Sequence, residues 1–215
     1  MRRRMSVDER RASLLELGLR LFGQRGLDDV SVEDIAREAG VSAGLLYHYF
    51  GSKREFHYAV AAHAMSRLAA VTEPDPALAP GQRVVAGLTA YLEYLRADTH
   101  GWSWLMRGGS AGDDRLWVIG EEYRATITRW VFQALPPGSE SPLTRVAVRG
   151  WIGSNTEMAL VWLDAGEPEM QAVVRLMVSV LVAVLEEGGV DASALDALRR
   201  DADAALMALE EAHVS

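Results

Sequence analysis

The sequence predicts an all-helical protein: an N-terminal three-helix domain followed by a larger helical domain. Apolar residues recur at steps of three and four along most of the chain, which is the helical period. No run alternates polar and apolar residues as a half-buried strand does, and no repeat of fixed period appears. The breaks between periodic segments (RGGSAGDD, PPGSESP, DAGEP and GGVD) are rich in Gly, Pro, Ser and Asp, residues that end helices rather than extend them.

From Asp8 to Arg25, Leu14, Leu15, Leu17, Leu19, Leu21 and Phe22 form an apolar stripe, and Gly26 suits the end of that helix. Ser31, followed three residues later by Asp34, is a variant capping box opening a second helix. That helix carries Val32, Ile35, Ala36 and Ala39 on one side and stops at Gly40. Ser42 is a suitable N-cap for a third short helix, Ala43 to Phe50, with Leu46 and Phe50 facing inward at i and i+4. Ser52-Lys53-Arg54-Glu55 reads as a full capping box for a fourth helix running to about Val71. The stretch TEPDPALAPG, with three prolines, is a connection. Further helices are expected at about 82–97, 114–135, 143–164, 168–187 and 192–212, with the segment from His100 to Asp114 lying between two of them. By role, the chain divides into residues 1–51 and residues 52–215, and 215 residues suffice for both parts to bury a core.

Composition narrows the function. Hydrophobic residues make up 49% and charged residues 24% of the chain, the balance of an ordinary globular protein. The longest uncharged apolar stretch, Leu176 to Leu185, falls well below the ~20 residues that span a bilayer. There is no cysteine and no apolar signal region behind the N-terminal arginines, so a cytoplasmic location and no membrane partner are expected. No Gly-x-Ser-x-Gly elbow or phosphate-binding loop is present, and His48, His57, His63, His100 and His213 show no metal-ligand spacing. Asp113-Asp114 and Glu121-Glu122 read as solvated charges. No catalytic residue, metal or cofactor is expected. The net charge of −8 is unevenly placed: residues 1–60 hold 10 Lys and Arg against 9 Asp and Glu, and the acidic surplus lies beyond. A near-neutral N-terminal part can present cations locally to a polyanion.

Val30 to Phe56 reads VSVEDIAREAGVSAGLLYHYFGSKREF. With the Phe-Gly-x-x-Gly that ends the first helix, it resembles the DNA-binding domain of the TetR family of transcription regulators, strongly over residues 8 to 60. The resemblance implies a helix-turn-helix at residues 31 to 50, a homodimer on a palindromic operator in double-stranded DNA, and a ligand-controlled regulator, most often a repressor. The residues themselves suit that role. A helix beginning with the small residues Ser42, Ala43 and Gly44 approaches base edges closely, and Tyr47, His48, Tyr49 and Lys53 can reach phosphate oxygens. With Ser31 and Leu45 these are the expected DNA-binding residues, supplemented by Arg2, Arg3 and Arg4 as an arm. No Arg, Asn or Gln lies in residues 42 to 50 to make a bidentate base contact. An exposed Leu45 can favour only a thymine methyl, so target choice leans on Ser42, Tyr47 and DNA shape.

The larger part is expected to bind ligand and to dimerise. Tyr91, Tyr94, Trp102, Trp104, Met106, Trp117, Tyr123 and Asn155 are the candidate pocket residues, for a small apolar or aromatic ligand. The helix at 168–187 is apolar almost all round, so one side should face a second subunit. Trp151, Met158, Trp162, Met177, Val180, Leu181 and Val184 are the candidate interface residues. The alternative reading is a ligand-binding helical dimer that acts through a protein partner without specific DNA binding.

Overall fold

In the computed structural model, residues 6–26, 29–108 and 113–214 are described, without the side chains of residues 103, 104, 106–108 and 212–214. Arg2, Arg3 and Arg4 lie outside the described residues. The described residues form ten α-helices and no strand: α1 (Val7–Arg25), α2 (Val32–Ala39), α3 (Ala43–Phe50), α4 (Lys53–Thr72), α5 (Pro80–Ala97), α6 (Thr99–Gly108), α7 (Asp114–Ala134), α8 (Pro142–Ala165), α9 (Met170–Glu187) and α10 (Ala192–Val214). By mutual contact the chain divides into two compact units, residues 1–67 with 97–121 and residues 68–96 with 122–215. This differs from the sequence division at residue 51, because α6 packs on α1 and the N-terminal stretches of α4 and α7 belong with it.

The first unit is organised by caps and close crossings. Ser6 and Glu9 cap α1 reciprocally, with Glu9 N–H donating to Ser6 Oγ (3.1 Å) and Ser6 N–H to Glu9 Oε2 (2.7 Å). Apolar burial centres on Leu15, Phe22, Val30, Ile35, Leu46, Phe56 and Val60, each such side chain contributing about 1.5–3 kcal/mol. The ring of Phe22 meets those of Phe56 and His57 edge-on at 5.8 and 5.7 Å. Glycines let α1 approach its neighbours. A Cβ on Gly18 would stand 2.6 Å from Val60, and one on Gly23 would stand 2.3 Å from the backbone nitrogen of Gly101 in α6.

α6 is a correction to the sequence reading, which leaves His100 to Asp114 between helices as a wall or entrance to a pocket. Asp98 starts this helix, accepting the Gly101 N–H at 3.1 Å, and Trp102 is fully buried in the first unit. The helix is short and contains the poor helix formers Gly101 and Gly108, and its close fit to α1 carries no local signal. The stretch 109–112 within the Gly-Gly-Ser-Ala-Gly run lies outside the described residues.

The second unit holds the end of α4, α5, the greater part of α7, and α8 to α10. Leu92, Val148, Met177, Leu181, Leu185 and Leu206 are among its fully covered residues. Gly81 lets α5 meet α10, since a Cβ there would lie 2.2 Å from the Leu198 carbonyl oxygen. Two indoles are bonded inside this unit: Trp151 Nε1–H donates to the Met177 carbonyl and Trp162 Nε1–H to the Pro168 carbonyl, both at 2.8 Å. Trp151, Trp162, Met177 and Leu181 are therefore interior to one chain, which corrects their assignment to a subunit interface. An indole spaced along an apolar helix stripe looks the same in sequence whether the stripe packs inward or outward. Met158, Val180 and Val184 are half-buried, and Leu143, Val146, Val161 and Leu176 are the large apolar residues left exposed on α8 and α9.

Candidate nucleic-acid interface and ligand cavity

The turn between α2 and α3 is set by local chemistry. Ser31 and Asp34 cap α2 reciprocally, with Asp34 N–H to Ser31 Oγ at 3.0 Å and Ser31 N–H to Asp34 Oδ2 at 3.1 Å. The Ser31 hydroxyl also donates to Asp34 at 2.6 Å. These Ser31 bonds, with the Arg37 guanidinium next, pull the Asp34 carboxyl down to about 2. The Ser31 side chain is thus committed to holding α2. At the other end Gly40 adopts φ +65°, ψ +34°, which only glycine takes at little cost. Val41 N–H donates to the Ala36 carbonyl (2.9 Å) and Gly40 N–H to that of Arg37 (3.2 Å), the pattern of a Schellman stop. Ser42 follows at once, its Oγ accepting the Leu45 N–H at 3.2 Å.

α3 is held from beneath by Leu46 and Phe50, which are buried. The Phe50 ring packs edge-on against Phe56 of α4 at 4.8 Å, with the Arg11 guanidinium 5.3 Å from its centre. The opposite face carries Ser42, Gly44, Tyr47 and His48, all exposed, with Tyr47 at 48%. Ala43 is half-buried. Leu45, expected to be exposed, is half-buried, as is Tyr49; the two stand at i and i+4 on one flank, where neighbouring side chains cover each other.

Lys53 begins α4, half-buried, and shares a small recess with Tyr47 of α3. Ser52 caps this helix by accepting the Glu55 N–H at 3.1 Å. The Glu55 carboxylate does not complete the expected box but takes the Arg115 guanidinium at 2.6 Å, a stronger, charge-assisted partner. Arg115 lies over the Tyr58 ring at 4.4 Å. Asp113, read from sequence as a solvated charge, accepts from Tyr58 Oη at 2.8 Å and Arg54 Nη2 at 3.1 Å. The Tyr58 bond first, and Arg54 with it, hold its carboxyl at about 2. These five residues tie the first turn of α4 to the start of α7, within the first unit. Their separation of 55 to 60 residues left no local pattern to read.

The second unit holds a half-open cavity of about 330 Å³ between the 72–76 connection, α5, α7 and α8. Tyr91, Tyr123 and Asn155 line it together with Thr72, Trp130 and Trp151. Burial raises the pKa of both tyrosines above the ordinary value, so they remain protonated. Of the other pocket residues expected from sequence, Tyr94 is not on this wall, Trp102 is core of the first unit, and Trp117 is 55% exposed. The side chains of Trp104 and Met106 lie outside the described residues. An aromatic-rich segment does not reveal which rings share a wall when they sit on different helices, and Trp151, on an apolar stripe that in sequence suits a subunit interface equally well, carries no signal for the cavity.

Comparison with known proteins places both units. Residues 14–60 match the family described as bacterial regulatory proteins, tetR family, and residues 80–184 match tetracyclin repressor-like, C-terminal domain. A tetR-family transcriptional regulator from Streptomyces coelicolor is 30% identical in sequence and superposes with a TM-score of 0.75, covering 92% of this chain and 90% of that one. The HTH-type transcriptional activator FasR of Mycolicibacterium smegmatis is 26% identical over 171 residues, 77% of each chain. The HTH-type transcriptional regulator BetI of Brucella suis biovar 1 is 42% identical over 82 residues, 36% of this chain and 40% of that protein.

Proposed function

The chain belongs to the tetR family of bacterial regulatory proteins, and from that premise we propose that it is an effector-released repressor, bound as a homodimer to a palindromic operator. It is a DNA-binding transcription regulator with a helix-turn-helix. The observation that carries the reading is the division of α3 into a buried seat, Leu46 and Phe50, and an exposed face of small and hydrogen-bonding residues. In this reading residues 1–51 serve DNA and residues 52–215 serve ligand and dimer, and the protein works in the cytoplasm. Ser42, Ala43, Gly44 and Leu45 approach base edges, while Tyr47, His48, Tyr49 and Lys53 hold phosphates. Dimerisation uses the outer faces of α8 and α9, where Leu176, Val180 and Val184 repeat every four residues beside Met158 and Val161. The effector occupies the 330 Å³ cavity. α4 begins with Lys53 and ends with Thr72 on the cavity wall, so a shift of α4 on binding displaces Lys53. A coupling of about 1–3 kcal/mol suffices to change operator occupancy.

The relative named an activator favours a second reading of the sign, in which the same release switches a gene off; the DNA contacts are common to both. Lys53→Ala tests them. Affinity for duplex DNA should fall across sequences, and the slope of log K against log salt should shrink by about 1 per lost phosphate contact, hence about 2 for a dimer. An unchanged slope would remove Lys53 from the interface. Retention on duplex DNA that ignores salt altogether would favour a regulator acting through a protein partner.

A further inference from the structure

We propose that the effector is an uncharged, mostly apolar molecule carrying a hydroxyl or N–H group that it donates to Oδ1 of Asn155. The inference rests on reading the 330 Å³ cavity as the effector site and names what that site selects. Trp130, Trp151, Tyr91, Ile127 and Leu88 give the wall an apolar and aromatic character, which favours a hydrophobic body. Glu73 and Arg83 both lie on the wall, so the formal charges of the lining cancel. Arg83 further spends Nε on the Leu78 carbonyl (2.7 Å) and Nη2 on the Pro76 carbonyl (2.6 Å). Such a guanidinium braces its own connection rather than waiting for an anion.

The threonine hydroxyls of the wall bond within their own helices, Thr72 Oγ1 donating to the Leu68 carbonyl at 2.8 Å and Thr156 Oγ1 to the Ile152 carbonyl at 3.3 Å. The Asn155 amide oxygen has no such partner. The residue is 7% exposed, and no donor among the described residues reaches its Oδ1. A covered amide oxygen without a donor destabilises the fold. Native structures seldom keep that cost without a use for the group. The oxygen is covered by its neighbours while its residue lines the cavity, and χ2, the broad torsion of an asparagine amide, lets the amide turn as the effector enters. Asn155 lies one helical turn beyond Trp151 on α8, so a donor reaching it is placed beside the indole while the body of the molecule lies along the aromatic wall.

Three probes of matched shape test this by calorimetric titration of the full-length protein: para-heptylphenol, its methyl ether and heptylbenzene. The phenol should bind the wild type roughly ten- to a hundredfold more tightly than the ether, which lacks the donor. Asn155→Leu should erase that preference, and Asn155→Asp, which keeps an acceptor, should retain it. Equal affinity of phenol and ether for the wild type, the result expected if water alone serves Asn155, overturns the proposal and leaves the cavity as a site for apolar molecules. A preference that survives in Asn155→Leu also overturns it. Binding of none of the three probes removes the cavity reading and the proposal together. The wild-type comparison stands even if Asn155→Leu fails to fold.

Discussion

Gly23→Ala should lower the thermal midpoint by roughly 6–12 °C, corresponding to about 3 kcal/mol for a chain of this size. The added methyl would stand 2.3 Å from Gly101 N, 2.5 Å from Gly101 Cα and 2.5 Å from the carbonyl carbon of His100. All three are backbone atoms, so no side chain can swing aside. α6 must then move off α1, and the movement also disturbs Trp102, which is 1% exposed, because packed interiors transmit strain. The change is read by circular dichroism at rising temperature. A midpoint within 2 °C of the wild type, the lower end of the shift expected from about 1 kcal/mol, would mean that α1 and α6 do not cross at these glycines.

Phe50→Ala should cost about 3–5 kcal/mol, the range for removing a buried phenylalanine. It acts on function more directly than Gly23→Ala does. Phe50 meets Phe56 at 4.8 Å and carries Arg11 over its ring; with Leu46 it is what presses α3 onto the rest of its unit. Affinity for the operator follows the fraction of molecules in which α3 is seated, so binding should weaken earlier on warming than in the wild type, by roughly tenfold at the temperature where one molecule in ten keeps α3 seated. Urea titration and gel retardation on the same preparation separate the two effects. A variant that keeps wild-type stability would show that α3 is anchored elsewhere.

What could be read in the sequence was what local chemistry specifies. The end of α1, the limits of α2 and the start of α3 are set by Gly26, Ser31, Gly40 and Ser42, residues whose preference for helix ends is a property of a few neighbouring backbone groups. The Ser6–Glu9 cap that starts α1 lies ahead of the apolar stripe and outside the sequence reading. The inward set Leu46 and Phe50 follows from spacing alone. The reciprocal cap at Ser52 did not, because Glu55 has a better partner sixty residues away in Arg115. α6 escaped notice because its stability comes from a glycine crossing with α1 rather than from a long apolar stripe. Tyr91, Tyr123 and Asn155 were recognisable as polar-tipped or polar groups out of keeping with a plain core. Trp102 and Trp117 carry the same signal, and only tertiary packing sends one into the interior and leaves the other at the surface. The apolar stripes of α8 and α9 showed that these helices bury much surface. Which residues face inward depended on Trp151 finding the Met177 carbonyl.

The most direct test of the central claim, that α3 grips DNA by its exposed face, is a hydroxyl-radical footprint of the purified protein on duplex DNA flanking its own gene. The wild type should protect two symmetric half-sites spaced by about one helical turn or a multiple of it. Replacing Tyr47 and His48 together by alanine, which leaves Leu46 and Phe50 in place, should remove the protection while the fold is retained. Protection that persists unchanged in that double variant, or none with the wild type at low salt on DNA flanking its gene, would contradict the account.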